Sequence, residues 1–318
     1  MRNLLLGSLL AVMVTPALAG EVDGYGCPLS APSGAAEASS LFACVPDGSS
    51  PTDGEVTAPP VIAAGTDLAY NKDFWNSRWG HHQLANFPGF STDATGVFGS
   101  VYATDFDPAA TTLYALNSDT LSWGTMNLAT GAFSSIGSSV PSAPGHNLWS
   151  GLAIHPVTGV VYASGIAGNV NMAYGLYAID PATGAATLLG QDATSMAMIA
   201  LAINCSGELF GHDIITDSVY RIDPANGAVT LVGPTGVNSN FAQGMDFDND
   251  TQQLYAWTYQ GGGANRYGTI DPATGALNIL STTNPIGEFE GAVKNSCSTL
   301  FNNGFELFGT AAWSAVTP

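Results

Sequence analysis

Several groups of residues in this chain have types and spacings suited to chemistry. His212 stands beside Asp213, and together with His146, Glu288 and Glu290 it offers an acid, a base and an orienting carboxylate for hydrolysis. Asp246-x-Asp248-x-Asp250 has the spacing that opens a calcium loop, and Asp105-x-Asp107 repeats part of it. Neither is followed by the glycine that folds such a loop back, nor by a Glu at the bidentate spacing. These carboxylates therefore read first as turn caps, with a calcium site of Asp105 and Asp246 facing a central channel as the variant. His81 and His82 are adjacent and point to opposite faces of any strand, so they make a poor metal pair. Gly-x-Ser-x-Gly, His-Glu-x-x-His and a Gly-rich phosphate loop are all missing from the sequence.

Aromatic residues supply the other candidates. Trp149, Phe241, Trp257 and Tyr259 form the expected ligand-binding set, and beside Asn and Gln they suit a sugar, a peptide or an apolar small molecule. Trp149, Phe241 and Phe289 occupy similar places in successive repeats, which reads as packing between repeats. Trp257 and Tyr259, next to Gly261-Gly262-Gly263, do not recur and carry the ligand expectation. Trp75 and Trp79 lie in a composite stretch, residues 67–99, and are expected to cover an apolar face where that stretch docks.

What must position these residues is a repeat. Residues 177–190 (YAIDPATGAATLLG), 220–233 (YRIDPANGAVTLVG) and 268–281 (GTIDPATGALNILS) are nearly the same, and 124–137 (GTMNLATGAFSSIG) is a weaker copy. Each reads as a hairpin. A strand ends at Asp or Asn, whose side chain caps the turn, Pro presets φ, and Gly supplies the left-handed residue that starts the returning strand. Upstream of each hairpin an apolar segment enters a first turn. Aligned on Asp107, His155, Asn204, Asp248 and Asn295, these segments are 48, 49, 44 and 47 residues apart. Four short strands per period of this size predict propeller blades. In the clearest unit the strands are expected at 152–154, 160–164, 176–180 and 186–189. A blade is apolar on both faces, so neighbours must cover it, and ring closure removes the free edges. The reading is an all-β propeller of about five four-stranded antiparallel blades, the last built from residues 291–295 and the 67–99 stretch, at opposite ends of the chain.

The segments SGLAIHPVTGVVYAS and LYAIDPATGAATLLG resemble the repeats of secreted bacterial β-propellers with Asp-Pro-x-Thr-Gly turns, broadly similar to quinoprotein-like propellers. The likeness spans residues 99–295 and implies a fold; the matching positions are turn and core residues, and no cofactor residue maps across. The end of the chain, LFNNGFELFGTAAWSAVTP, resembles the Asn/Asp-Gly-Phe-Glu … Ala-Trp-Ser tails of exported Gram-negative proteins, with Leu307-Phe308-Gly309 where those tails carry Ser-Gly-Asp.

Export is also written in the first residues. Arg2, an apolar run from Leu4 to Val14 and Ala17-Leu18-Ala19 make a signal peptide over residues 1–19. The expected organisation continues with a flexible arm over 20–60, the propeller over 61–297 and a tail over 298–318. The four cysteines of an exported chain predict two disulfides; Cys27 with Cys44 and Cys205 with Cys297 is the preferred pairing, and Cys297 reaching the N-terminal segment is the alternative. With 25 acidic residues against 6 basic ones and a net charge of −19, nucleic acid, phosphate esters and anionic lipid are excluded as partners. The function expected is a secreted, monomeric, non-catalytic scaffold without a cofactor, recognising an extracellular glycan, peptide or protein. A lactonase- or glycosidase-like hydrolase is the first alternative and a structural cell-surface protein the second.

Overall fold

Short apolar alternations, each stopped by an Asp- or Asn-capped turn, leave this chain with no helical period to follow, and it folds as strands. The computed structural model describes residues 67–96, 98–167, 173–240, 243–281 and 287–297. The expected signal peptide, N-terminal arm, Cys27, Cys44, Phe241 and C-terminal tail lie outside them.

Blade I begins with β1 (Leu68–Asp73), β2 (Arg78–Gln83) and β3 (Ser91–Thr95). Blade II is β4 (Val101–Phe106), β5 (Leu113–Asn117), β6 (Ser122–Met126) and β7 (Phe133–Ser138). Blade III is β8 (His146–Ile154), β9 (Val161–Ala167), β10 (Ala173–Ile179) and β11 (Ala186–Ser195). Blade IV is β12 (Met198–Ile203), β13 (Leu209–Asp213), β14 (Ser218–Ile222) and β15 (Val229–Pro234), and blade V is β16 (Gly244–Asp248), β17 (Gln253–Gly261), β18 (Ala264–Ile270) and β19 (Leu277–Ser281). The last strand, β20 (Phe289–Lys294), pairs antiparallel with β1 and becomes the innermost strand of blade I. The protein is thus a five-bladed propeller of four-stranded antiparallel sheets, closed by strands from both ends. The innermost strands β20, β4, β8, β12 and β16 neighbour one another around the ring. Blade III strands are longer than the sequence suggests, with pairing that continues past the repeat motif to His146 opposite Ala167 and Ala173 opposite Ser195.

Apolar faces are buried between blades. Trp79, Val101 and Leu113 fill the I/II interface; Trp123, Trp149 and Tyr177 fill II/III; Leu176, Met198 and Leu209 fill III/IV. Phe210, Phe247 and Leu254 fill IV/V, and Trp257, Tyr267 and Phe289 fill V/I. A fully buried side chain of this size contributes about 1.5–3 kcal/mol, so the ring is held chiefly by these five layers.

The repeated turn also locks blades III, IV and V each to the blade before it. The Asp180, Asp223 and Asp271 carboxylates accept the backbone N–H two residues on, at 2.9 Å in each case, and Gly184, Gly227 and Gly275 hold φ near +75° after them. Each turn seats on the final glycine of the preceding repeat. A Cβ on Gly137, Gly190 or Gly233 would overlap the carbonyl oxygen of Thr183, Asn226 or Thr274 in the next blade. Ser281 replaces this glycine in blade V, and the next blade, I, lacks the Asp-Pro-x-Thr-Gly turn. Aromatic donors reinforce the lock: Trp79 Nε1 donates to Leu128 O at 2.8 Å, Trp123 Nε1 to Pro181 O at 3.1 Å, and Tyr267 Oη to Leu84 O at 2.8 Å. Gly190→Ala is therefore expected to destabilise the fold by about 1–3 kcal/mol, the cost of overpacking a tight contact. Urea unfolding checks this, and an unchanged midpoint would mean that the turn is not seated on Gly190.

Cys205 follows β12 and Cys297 follows β20, and the two form a disulfide. No helix among the described residues is long and apolar enough to cross a membrane.

Candidate functional site

The propeller has a turn face, made by the first-to-second and third-to-fourth strand connections, and a loop face made by the others. On the turn face the expected calcium positions are engaged with backbone. Asp107 accepts from the N–H groups of Thr111 at 2.6 Å and Thr112 at 2.7 Å, and Asp248 accepts from Asp250 N at 3.1 Å and Thr251 Oγ1 at 2.6 Å. Asp105 and Asp246 reach the next innermost strand, accepting Ile154 N at 2.5 Å and Val293 N at 2.6 Å. Burial raises both carboxyls above the usual range, and the Asp246 charge adds to the rise at Asp105. They splice the edges of adjacent inner strands, each with the N–H that a channel-facing edge leaves free. Among the described residues no group of three or more His, Cys, Asp or Glu is placed to hold a metal ion.

Among the described residues, neither His146 nor His212 makes a hydrogen bond to a carboxylate. His146 Nδ1 lies 2.7 Å from Tyr177 Oη, and burial lowers its pKa. His212 is buried within β13, its Nε2 without a partner, and desolvation pushes it down to about 4. Its neighbour Asp213 caps the β13–β14 turn, accepting from Ile215 N at 3.2 Å and Thr216 N at 3.1 Å, and also takes Ala197 N at 2.7 Å. His81 bonds Asp93 at 2.6 Å on one side of β2, while on the other the buried His82 accepts from Trp257 Nε1 at 3.0 Å. The two rings do point to opposite faces, and His82 serves the V/I interface.

The exposed aromatic patch expected of Trp257 and Tyr259 does not form. Trp257 is 0% and Tyr259 2% exposed, because strand alternation sends both toward blade I, where Trp257 meets His82, with Tyr267 of its own blade alongside. Trp149 is buried as well, donating from Nε1 to Ser139 O at 2.9 Å and meeting Tyr177 edge-on. Among the described residues, the large aromatic that does reach solvent on the loop face is Trp75, 45% exposed in the β1–β2 turn, its ring 6.4 Å from that of Tyr259. The expectation that Trp75 covers an apolar face is corrected: Trp79 does so, while Trp75 falls in the turn, where no sheet covers it.

Beside Trp75 the loop end of blade I holds a buried ionisable cluster that sequence reasoning divided. Glu288 and Glu290 were recognised, but Lys72 was not, because the partnership depends on β1 pairing with β20 and places Lys72 opposite Glu290. Lys72 Nζ donates to Gly99 O and sits 3.5 Å over the Phe74 ring, which stacks on Tyr102. Burial pushes the Lys72 ammonium down to about 7, although the Asp119, Glu290 and Glu288 charges hold it up. Burial, then the Asp73 charge, pushes Glu288 up to about 8, with Lys72 opposing. Glu290 is raised well above the usual range by burial, and its Oε2 has no hydrogen-bond partner. Asp73 is spent on structure, accepting from Arg78 Nε at 2.6 Å, Asn76 Nδ2 at 2.8 Å and Glu288 N at 3.2 Å. Burial favours the neutral form of each of these groups, while the attraction between the amine and the carboxyls favours the charged forms.

No protein-family model matches the chain, and no curated protein matches it in sequence. Solved structures are similar in architecture. A chain of a nidogen–laminin complex matches at 13% identity and a TM-score of 0.44 over 73% of this chain and 99% of that one. The PQQ-bound aldose sugar dehydrogenase of Streptomyces coelicolor matches at 15% identity and 0.42, over 71% of this chain and 73% of that one. TolB of Acinetobacter baumannii matches at 17% identity and 0.41, over 70% and 54%. Likeness at this level bears on neither ligand nor activity.

Proposed function

We propose that this protein is an exported, non-catalytic recognition scaffold that binds its partner through the loop face of the propeller. The observation that carries this reading is Trp75, a large aromatic left 45% exposed on that face while Trp79, Trp123, Trp149 and Trp257 are all buried. Recognition is commonly built on loops held by a rigid frame, and this ring is locked at every blade. The histidine–carboxylate arrangement that hydrolysis would use is not assembled, since His146 is paired with Tyr177 and His212 is enclosed in its sheet. The leader at residues 1–19, the arm at 20–60 and the tail at 298–318 belong to the same proposal: export, then presentation of the ring outside the cytoplasm. The Cys205–Cys297 disulfide supports an oxidising compartment.

Site-specific photocrosslinking tests this. A benzophenone side chain at position 75, in the full chain within its native host, is expected to trap a partner, and one at Val157, exposed on the turn face, is not. Equal trapping from both positions, or none from position 75, would overturn loop-face recognition.

A second reading, hydrolysis on the same face, is favoured by one observation, the perturbed cluster of Lys72, Glu288 and Glu290. It predicts turnover of a chromogenic lactone or glycoside that is lost in Glu288→Gln.

A further inference from the structure

We propose that the seam between blades V and I, where the loop face meets Trp75, is a binding site for a neutral sugar. The inference rests on loop-face recognition and names its ligand class. Trp75 and Asn265 carry it. The Trp75 ring is tilted 46° to that of Tyr259, which supports it from below while much of the indole meets solvent. An exposed indole on a fixed support is a stacking platform for the C–H face of a pyranose, with few rotamers to lose on binding.

Asn265 supplies the polar contact. It stands opposite Tyr259 in the β17–β18 register, so its side chain leaves the sheet on the Tyr259 side, toward blade I. The residue is 6% exposed, yet neither its amide nitrogen nor its amide oxygen has a hydrogen-bond partner. Leaving a buried donor and acceptor unmade is costly, and such groups in a folded protein call for an explanation. An Asn amide presents a donor and an acceptor side by side, the match for two vicinal hydroxyls. Gln243 repeats the pattern more deeply: its Nε2 donates to Tyr259 O at 3.0 Å and its buried Oε1 is unpartnered.

The connection above the seam is open. Gly261, Gly262 and Gly263 all hold positive φ, and a Cβ on Gly262 would meet nothing within 4 Å. Charge selects among sugars. The nearby cations do not serve an anion: Arg78 is paired with Asp73 at 2.6 Å, Lys72 is buried on Gly99 O and the Phe74 ring, Arg266 leaves β18 on the face opposite Asn265, and the chain carries a net charge of −19. A phosphorylated, sulfated or uronic sugar would find no counter-charge, whereas a neutral one needs none.

The probe is a panel of neutral oligosaccharides (glucans, mannans, galactans, xylans and chitin fragments) printed on a surface, with the best binder then titrated against the full chain. Trp75→Ala is expected to weaken binding at least tenfold and Asn265→Ala several-fold. Trp75→Tyr should retain most of the affinity, and Val157→Ala on the turn face should leave it unchanged. Trp75 is exposed, so its variants should unfold at the wild-type urea midpoint. The inference is overturned if no neutral oligosaccharide binds at millimolar concentration, or if Trp75→Ala binds as wild type does. Photocrosslinking from position 75 without sugar binding would end the sugar inference and leave loop-face recognition standing; loss of both would end both.

Discussion

Removing the Cys205–Cys297 disulfide is expected to lower the unfolding free energy by about 4.5 kcal/mol, the chain-entropy value for a closed loop approaching 100 residues. The bond spans 92 residues and ties the first turn of blade IV to the residue that follows the closing strand β20, so blade V lies entirely within the loop it closes. Around it the turn face is stitched by side chains: Asn249 N donates to Asn295 Oδ1 at 2.9 Å, and Asn295 Nδ2 donates to Asp248 and, at 3.3 Å, to Asp67. The same point thus fastens blades IV, V and I. Without the bond the closing strand keeps its pairing with β1, the V/I aromatic layer and the Asp246 and Asn295 hydrogen bonds, and the unfolded chain regains the freedom of a long loop. For a domain of this size the loss corresponds to a fall in melting temperature on the order of 10 °C. Urea unfolding of the double variant Cys205→Ser, Cys297→Ser, compared with oxidised wild type, checks this. A difference below about 1 kcal/mol would mean that closure does not depend on the disulfide.

The ring was legible in the sequence because its determinants recur. The Asp-Pro-x-Thr-Gly turns, their period, closure by the last apolar strand and the Cys205–Cys297 pairing all appear in the structure as read. The seam between the chain ends was not legible, for a related reason. Recurrence identifies packing residues only where blades share a pattern, and blade I, built from the 67–99 stretch and β20, shares little with the others. Trp257 and Tyr259 did not recur and so read as surface residues, yet they pack against His82 and Trp75, which have no counterparts in other blades. Trp75 and Trp79, four residues apart, divide between solvent and core according to whether each falls in the turn or in β2. No local signal distinguishes them. Lys72 carried no signal in the sequence, because Glu288 and Glu290 come to it only through the pairing of β1 with β20, strands from distant parts of the chain.

Those same partners give the second large effect. Glu288→Gln is expected to leave stability nearly unchanged near pH 4.5 and to raise it progressively up to about pH 8. The sign follows from the direction of the shift. The folded-state pKa of Glu288 is raised from 4.5 to about 8, so the folded protein binds the proton more tightly than the unfolded chain. Its contribution is fully present below about pH 4.5 and is lost as pH rises through about 8, a total on the order of 5 kcal/mol. Glutamine keeps the shape and the neutral state at every pH, so the variant lacks that loss. Lys72, lowered from 10.5 to about 7, slopes the other way: it favours the folded state at high pH and costs stability as pH falls through 7. That slope is common to both proteins and largely cancels in the difference between them. Urea midpoints of wild type and Glu288→Gln at pH 5 and pH 8.5 separate two accounts of the cluster. If the variant is the more stable at pH 8.5, the carboxyl is held as the neutral acid by its burial between blades. If it is the less stable there, Glu288 is ionised and pairs with a charged Lys72, and the cluster is an ion pair that fastens the closing strand to β1.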